Sequence, residues 1–250
     1  MKEKLYTLDL MDAVKSGDEC LFCWLERKLE QTAVEFVLGS SYMESDVREK
    51  TDAAGFCRNH SKMMFDYGNS LGNAWILKSR TAYVRSQLKK AMDGYAPQKS
   101  GWLDRMKKTR PEGDPVSGWI QEQERHCYIC SRIRETYDRM LKTFVHLIRQ
   151  EPEFEALLTA SHGFCVHHFG DVMRICERDL SDQEKETLMP KLFALMERNL
   201  ERIQGDIDWL IEKYDYQNQD ADWKTSRDAV QRTMQKLTGG HPANPVFKSK

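Results

Sequence analysis

The sequence predicts an all-α protein: a duplicated helical metal-binding unit with two Cys3His sites, followed by long C-terminal amphipathic helices. Three observations lead there. Turn-forming residues are scarce, with 14 Gly and 7 Pro among 250 residues, below the roughly 12% of average proteins. Apolar residues recur at spacings of three and four over long stretches, the period of a helix with one buried face. Six of the seven cysteines fall into two copies of one pattern.

Composition limits the function classes. A chain that is 40% hydrophobic and 10% aromatic has enough apolar groups to offset its ordering entropy, so it folds. Its apolar runs are far shorter than the roughly 18 residues needed to cross a bilayer. The first 20 residues carry five acidic groups and no apolar core of a signal peptide, so a cytoplasmic protein is expected. The 38 basic and 39 acidic side chains balance to a net charge of −1, which provides no overall field toward DNA, RNA or anionic lipid. No nucleic acid and no membrane are expected as partners, and a protein partner is.

Along the chain, Leu21, Leu25, Leu29, Ala33 and Phe36/Val37 predict a helix opening at Cys20 and ending near Gly39. The Met43 to Ala53 stretch allows a shorter returning helix. Residues 71 to 93 predict a long helix with Leu77, Thr81, Val84, Leu88 and Ala91 on one face, stopped by Gly94. Residues 94 to 118 hold three prolines and four glycines and read as a linker. Its Lys99 to Arg110 stretch carries five basic groups around Trp102, a solvated segment or, less favoured, a contact for RNA or an acidic partner. Ile129, Ile133, Tyr137, Met140, Phe144 and Ile148 predict a second long helix ending before Pro152. A short helix over Phe154 to Ala160 follows. Ser181 and Glu184 form a capping box, opening an amphipathic helix through Leu188, Leu192, Leu195, Ile203, Ile207, Leu210 and Tyr214 that Pro190 should kink or divide. A last helix around Trp223 to Leu237 ends at Gly239-Gly240. The domain reading is residues 1–93 as first repeat, 94–118 as basic linker, 119–180 as second repeat, and 181–250 as C-terminal helices with a loose tail.

The chemistry lies in the cysteines. Copy one is Cys20-x2-Cys23 followed by Gly55-Phe56-Cys57-x2-His60, and copy two is Cys127-x2-Cys130 followed by Gly163-Phe164-Cys165-x2-His168. The first pairs are offset by 107 positions and the second by 108, as an old duplication with one inserted residue would leave them. In a reducing compartment such a set is a metal site rather than a disulfide framework. Covalent haem wants a histidine directly after Cys-x2-Cys, where Trp24 and Ser131 stand; an iron–sulfur cluster on three Cys and one His is a minor alternative to zinc. Each pair falls on the opening turn of a helix, where free backbone amides favour thiolate. Two zinc ions per chain are therefore expected, on Cys20, Cys23, Cys57, His60, Cys127, Cys130, Cys165 and His168. Spacing permits pairing within each copy or across copies; shorter loops favour within-copy pairing. On that pairing, residues 1–93 and 119–250 each own a complete site. Cys176 matches no ligand position and reads as a buried small hydrophobe. His126 and His167, unrepeated, read as core, surface or supporting residues.

These motifs, with Lys213-Tyr214-Asp215-Tyr216, Trp223 and Arg232 to Gly239, resemble an uncharacterised family of helical bacterial proteins, sometimes mislabelled as transporter substrate-binding proteins. The resemblance spans residues 10 to 240. It implies the eight ligand positions and a cytoplasmic, mainly helical protein, and no catalytic residue. The functional expectation is a zinc-binding scaffold or protein-interaction protein and not an enzyme, because four protein ligands leave no open coordination position. The alternative is a thiol redox switch or metal-handling protein using the same cysteines. Exposed Trp102 and Trp223 are the expected partner contacts.

Overall fold

The computed structural model describes residues 5–96 and 114–240. Among them are eleven α-helices and no strand. They are α1 (Thr7–Lys15), α2 (Leu21–Gly39), α3 (Ser45–Ala54), α4 (Arg58–Asp66), α5 (Ser70–Asp93), α6 (Pro115–Glu124), α7 (Tyr128–Gln150), α8 (Pro152–Ala160), α9 (Val166–Asp179), α10 (Asp182–Glu212) and α11 (Ala229–Thr238). The all-α class follows the periodicity, as do most of the elements; α1 and α6 were not expected, and α6 opens at Pro115, inside the stretch read as a linker. Trp102 and the basic stretch Lys99 to Arg110 lie outside the described residues.

The chain forms two compact units, and neither follows the repeat boundaries. Of the described residues, 5–29 and 134–240 make the first unit and 30–96 with 114–133 the second. The divisions fall inside α2 and α7, not at the 94–118 segment, so the boundaries expected at 93, 118 and 180 do not coincide with those of the compact units.

The first unit is organised around aromatic side chains. Phe22, Phe144, Phe154 and Phe164 are fully buried, and Phe22 meets Tyr137 and Phe144 edge-on at 5.5 and 5.4 Å between ring centroids. Edge-to-face pairs at such distances add to the gain from burial itself. Leu188, Leu192 and Leu195 of α10 close the cluster. Cys176 belongs to this core and is fully buried; burial pushes its thiol up to about 11, the behaviour of an inert packed cysteine.

In the second unit Val34, Val37, Leu38, Val47, Met63, Met64, Ile76, Ile129 and Ile133 are buried. Asn69 caps α5 by accepting from the Gly72 N–H at 2.9 Å and donates to the Leu38 carbonyl, joining the start of α5 to the end of α2.

Three sequence expectations change. Leu77 and Thr81 are exposed, and the inward side of α5 is set by Gly72 and Ile76, with Val84, Leu88 and Ala91 half-buried; a weakly amphipathic helix has no strong periodicity to fix its rotation. Helix α10 runs unbroken through Pro190. Pro190 is exposed, as is Glu186, whose carbonyl loses its helical donor, while buried Leu188, Met189 and Leu192 hold both sides of the proline. The last helix begins at Ala229, leaving Trp223 in the preceding turn, half-buried against Tyr214 at 6.4 Å with Lys213 Nζ 5.2 Å from its ring.

Candidate metal centres

Each of the four motifs is read by the backbone in the same way. Cys20, Cys57, Cys127 and Cys165 each stand immediately before a helix, and Cys23, His60, Cys130 and His168 follow as its third residue. This is the spacing of a helix N-cap and its N3 partner, whose side chains converge over unpaired amides. The Cys20 sulfur accepts from the Cys23 N–H at 3.4 Å, and the Cys165 sulfur from the His168 N–H at 3.4 Å. A helix start favours charge on the sulfur in its cap position, a contribution that burial and neighbouring sulfurs oppose at Cys20.

The eight residues assemble into two groups, Cys20, Cys23, Cys165 and His168 in the first unit and Cys57, His60, Cys127 and Cys130 in the second. Each Cys-x2-Cys therefore meets the Gly-Phe-Cys-x2-His of the other copy, and the within-copy pairing expected from loop length is overturned. Helix lengths explain why. Helix α2 has 19 residues and carries the chain about 28 Å from Cys20, whereas α3 with 10 residues returns it only about 15 Å. Helices α7 and α8, with 23 and 9 residues, show the same imbalance. The longer closure, from Cys23 to Cys165 across 142 positions, costs only about 1 kcal/mol more than closing to Cys57.

Both centres repeat one backbone link. The Leu21 N–H donates to the Gly163 carbonyl at 3.3 Å, and the Tyr128 N–H donates to the Gly55 carbonyl at 2.9 Å. Both glycines have positive φ, 72° and 64°, which L side chains rarely adopt. At Gly163 a β-carbon would also approach Leu195 at 3.1 Å.

The donor atoms have the size of a tetrahedron. In the first centre His168 Nδ1 lies 3.3, 3.4 and 3.2 Å from the sulfurs of Cys20, Cys23 and Cys165, and Cys23 and Cys165 are 3.7 Å apart. In the second, His60 Nδ1 lies 3.3 Å from each of the three sulfurs, and Cys57 and Cys130 are 3.9 Å apart. A tetrahedral zinc with bonds of about 2.3 Å to sulfur and about 2.0 Å to nitrogen has edges of about 3.5 to 3.8 Å. Both donor sets fit such an ion.

The donor groups also bear on one another's ionisation. Hydrogen bonds from Cys20 and Cys23 hold the Cys165 thiol far below its usual range, while burial and the neighbouring sulfurs push Cys20 well above it. In the second centre the hydrogen bond from Cys130 brings Cys127 down to about 3, and the same contact drives Cys130 upward. Burial disfavours charge on both histidines, but hydrogen bonds to thiolate outweigh it: Cys165 and Cys23 raise His168 to about 12, and Cys127 raises His60 to about 10. Sulfurs this close suppress one another's ionisation. A cation held among them would allow all three to become thiolates.

The outer nitrogen of each histidine faces a carboxylate of α2. His168 Nε2 is 3.1 Å from Glu26, and His60 Nε2 is 3.4 Å from Glu30. Neither contact has the alignment of a full hydrogen bond, yet both place the acid where a metal-binding imidazole needs its partner. Cations tie the loops together behind each centre. Buried Lys236 donates to the carbonyls of Glu19, His162 and Phe164 at 2.6, 2.7 and 3.3 Å. Its Nζ also lies 3.2 Å from the buried Glu19 carboxylate, which pairs further with Arg202 and Arg232. In the second unit Arg80 donates to the Asp52 carbonyl and, at 2.9 Å, to Gln123. Glu26, Glu30, Lys236, Arg80 and Glu19 were not singled out from the sequence. Helix α11 is the reason for the largest omission: it turns Gln235 and Lys236 inward and leaves Val230, Met234 and Leu237 exposed, opposite to the usual amphipathic rule.

His126 and His167 lie outside both Cys3His sets, although the His167 ring is 5.1 Å from that of His168 and could join it and Asp171 around an ion. His126 is exposed and pairs with Glu122 at 2.7 Å. His167 is exposed, 3.9 Å from Asp171, whose oxygens are engaged by Tyr137 at 3.0 Å and by Arg174.

The model of a family of unknown function, DUF6062, matches residues 1–244. The chain belongs to the DUF6062 family. That match spans both centres and the Arg232 to Gly239 segment, which in this DUF6062 chain is the end of α11 and its cap, backing the first centre. No curated protein and no solved structure gave a significant match. No described helix is long and apolar enough to cross a membrane.

Proposed function

We propose that the protein is a zinc-binding helical scaffold that presents its surface to a protein partner. The observation that carries this reading is the closed donor set: each centre supplies three sulfurs and one imidazole nitrogen at the corners of a zinc-sized tetrahedron. Cys20, Cys23, Cys165 and His168 would hold one ion, and Cys57, His60, Cys127 and Cys130 the other. A bound ion supplies a cross-link between two helix starts and, having four protein ligands, no position for substrate.

What the chain's own residues contribute is support. Helix starts and the buried Lys236 offset the excess negative charge of three thiolates around a divalent ion. Zinc is favoured over an iron–sulfur cluster because sulfurs and nitrogen gather around one point, with no room for bridging sulfides. Free thiols held in this number suit a reducing compartment, which supports a cytoplasmic location. Trp223, half-buried in its own turn, and Trp102 are the candidate partner contacts.

Elemental analysis of protein purified without oxygen should find two zinc ions per chain and no iron. Colourless protein with that content supports the scaffold. Brown protein with iron and labile sulfide, or protein without metal, overturns it.

A further inference from the structure

The two centres share a donor set but differ in their surroundings. In the first, Cys20 and Cys165 are fully buried, Cys23 and His168 nearly so. Phe164 and Phe22 are buried beside them, with the Phe22 ring 5.8 Å from His168. The end of α11 covers the sulfurs: the Gly240 N–H donates to Cys23 at 3.4 Å, and a β-carbon on Gly239 would sit 3.6 Å from the Cys165 sulfur. An oxidant or chelator reaches this centre only if α11 moves.

The second centre has no such cover among the described residues. Cys127 and His60 are buried, but Cys57 and Cys130 are half-buried, as is Phe56, the counterpart of Phe164. The two accessible sulfurs are neighbours, 3.9 Å apart. Joining them requires their approach by about 2 Å, to the usual disulfide length of about 2.0 Å. Cys57 comes from copy one and Cys130 from copy two, so the bond would link the repeats covalently.

We propose that the second centre is a peroxide-responsive site: hydrogen peroxide joins Cys57 and Cys130 in a disulfide and thereby releases that centre's ion, while the first centre keeps its own. This rests on both centres binding metal. In the first step one thiolate gives an electron pair to peroxide, forming a sulfenic acid and hydroxide. In the second, the other thiolate attacks the sulfenic sulfur and displaces a second hydroxide. Two protons convert the hydroxides to water, so two thiolates and one peroxide become one disulfide and two waters. Cys127 and His60 alone do not complete a tetrahedral set, and the ion departs. A thiol reductant and fresh zinc reverse the change.

The test uses the full chain loaded with two zinc ions. Stepwise hydrogen peroxide is added while a chromogenic chelator reports free zinc, and peptides are mapped by mass spectrometry. One ion should leave about tenfold or more faster than the other, together with a Cys57–Cys130 disulfide and unmodified Cys20, Cys23 and Cys165. N-ethylmaleimide, which needs no variant, should alkylate Cys57 and Cys130 before any other cysteine. Release of both ions at one rate, first loss from the buried centre, no release short of unfolding, or a disulfide between other cysteines would each overturn the proposal. Protein purified without metal would overturn the scaffold reading as well, whereas two ions leaving in step would overturn only this inference.

Discussion

Cys165→Ser is expected to remove one of two ions and to unfold most of the first unit. Cys165 is fully buried at the start of α9, within reach of Cys23 and His168. A serine hydroxyl does not replace a thiolate as a zinc ligand. Structural zinc sites bind with an apparent free energy of about 10 to 16 kcal/mol, as large as the roughly 5 to 15 kcal/mol that stabilises a whole domain. Cys20 and Cys23 would then be two buried thiols with no cation to share. Zinc content should fall from two to one, and amide exchange should speed up across the first turn of α2 and all of α9. Retention of two ions with an unchanged melting curve would show that Cys165 is not a ligand.

Lys236→Met should have the next largest effect while leaving every ligand in place. The Lys236 side chain is fully buried and joins the carbonyls of Glu19, His162 and Phe164, which flank the two ligand-bearing turns. Burial draws its pKa down, and the adjacent Glu19 opposes that. Methionine matches the length but leaves three carbonyls without a donor and deprives the buried Glu19 carboxylate of one of its three cations. Removing one partner from such a buried network costs about 3 to 5 kcal/mol, which corresponds to roughly 6 to 20 °C in melting temperature for a protein of this size. Calorimetry should show that loss, and a chelator should now strip the first centre as readily as the second. An unchanged melt and an unchanged order of zinc release would show that the lysine does not hold the centre together.

Much of the site was legible because its requirements are local. Two ligands three apart, one before a helix and one in its first turn, are a property of a few consecutive residues, and the Cys-x2-Cys and Cys-x2-His spacings show it directly. Gly55 and Gly163 were recognisable as turns, and both adopt positive φ. The capping box of Ser181 and Glu184 formed as written. The pairing was not legible from loop length, since a closure difference of about 1 kcal/mol is small beside the reach of the helices. The lengths of α2 and α3 contained the answer, because a helix of 10 residues cannot retrace one of 19.

The supporting residues were hidden for other reasons. Glu26 and Glu30 look like ordinary exposed acids on an amphipathic helix, and only the folded arrangement aims them at His168 and His60. Lys236 sits on a helix whose apolar positions suggest the opposite orientation. Its inward turn is sustained by carbonyls more than 70 positions away in the sequence, which no periodicity can reveal. The order of the compact units follows from the crossed pairing: once the second half of one copy serves the first half of the other, a division between copies would cut through both centres.

Crossed pairing of two metal centres is the central claim, and paired substitutions test it most directly. Cys23 and Cys165 belong to different copies but to one centre, whereas Cys23 and Cys57 belong to one copy but to different centres. Zinc content should therefore be measured in Cys23→Ser/Cys165→Ser and in Cys23→Ser/Cys57→Ser. The first double variant should keep one ion per chain and the second should keep none; the reverse result, no ion in the first and one in the second, would contradict the crossed arrangement.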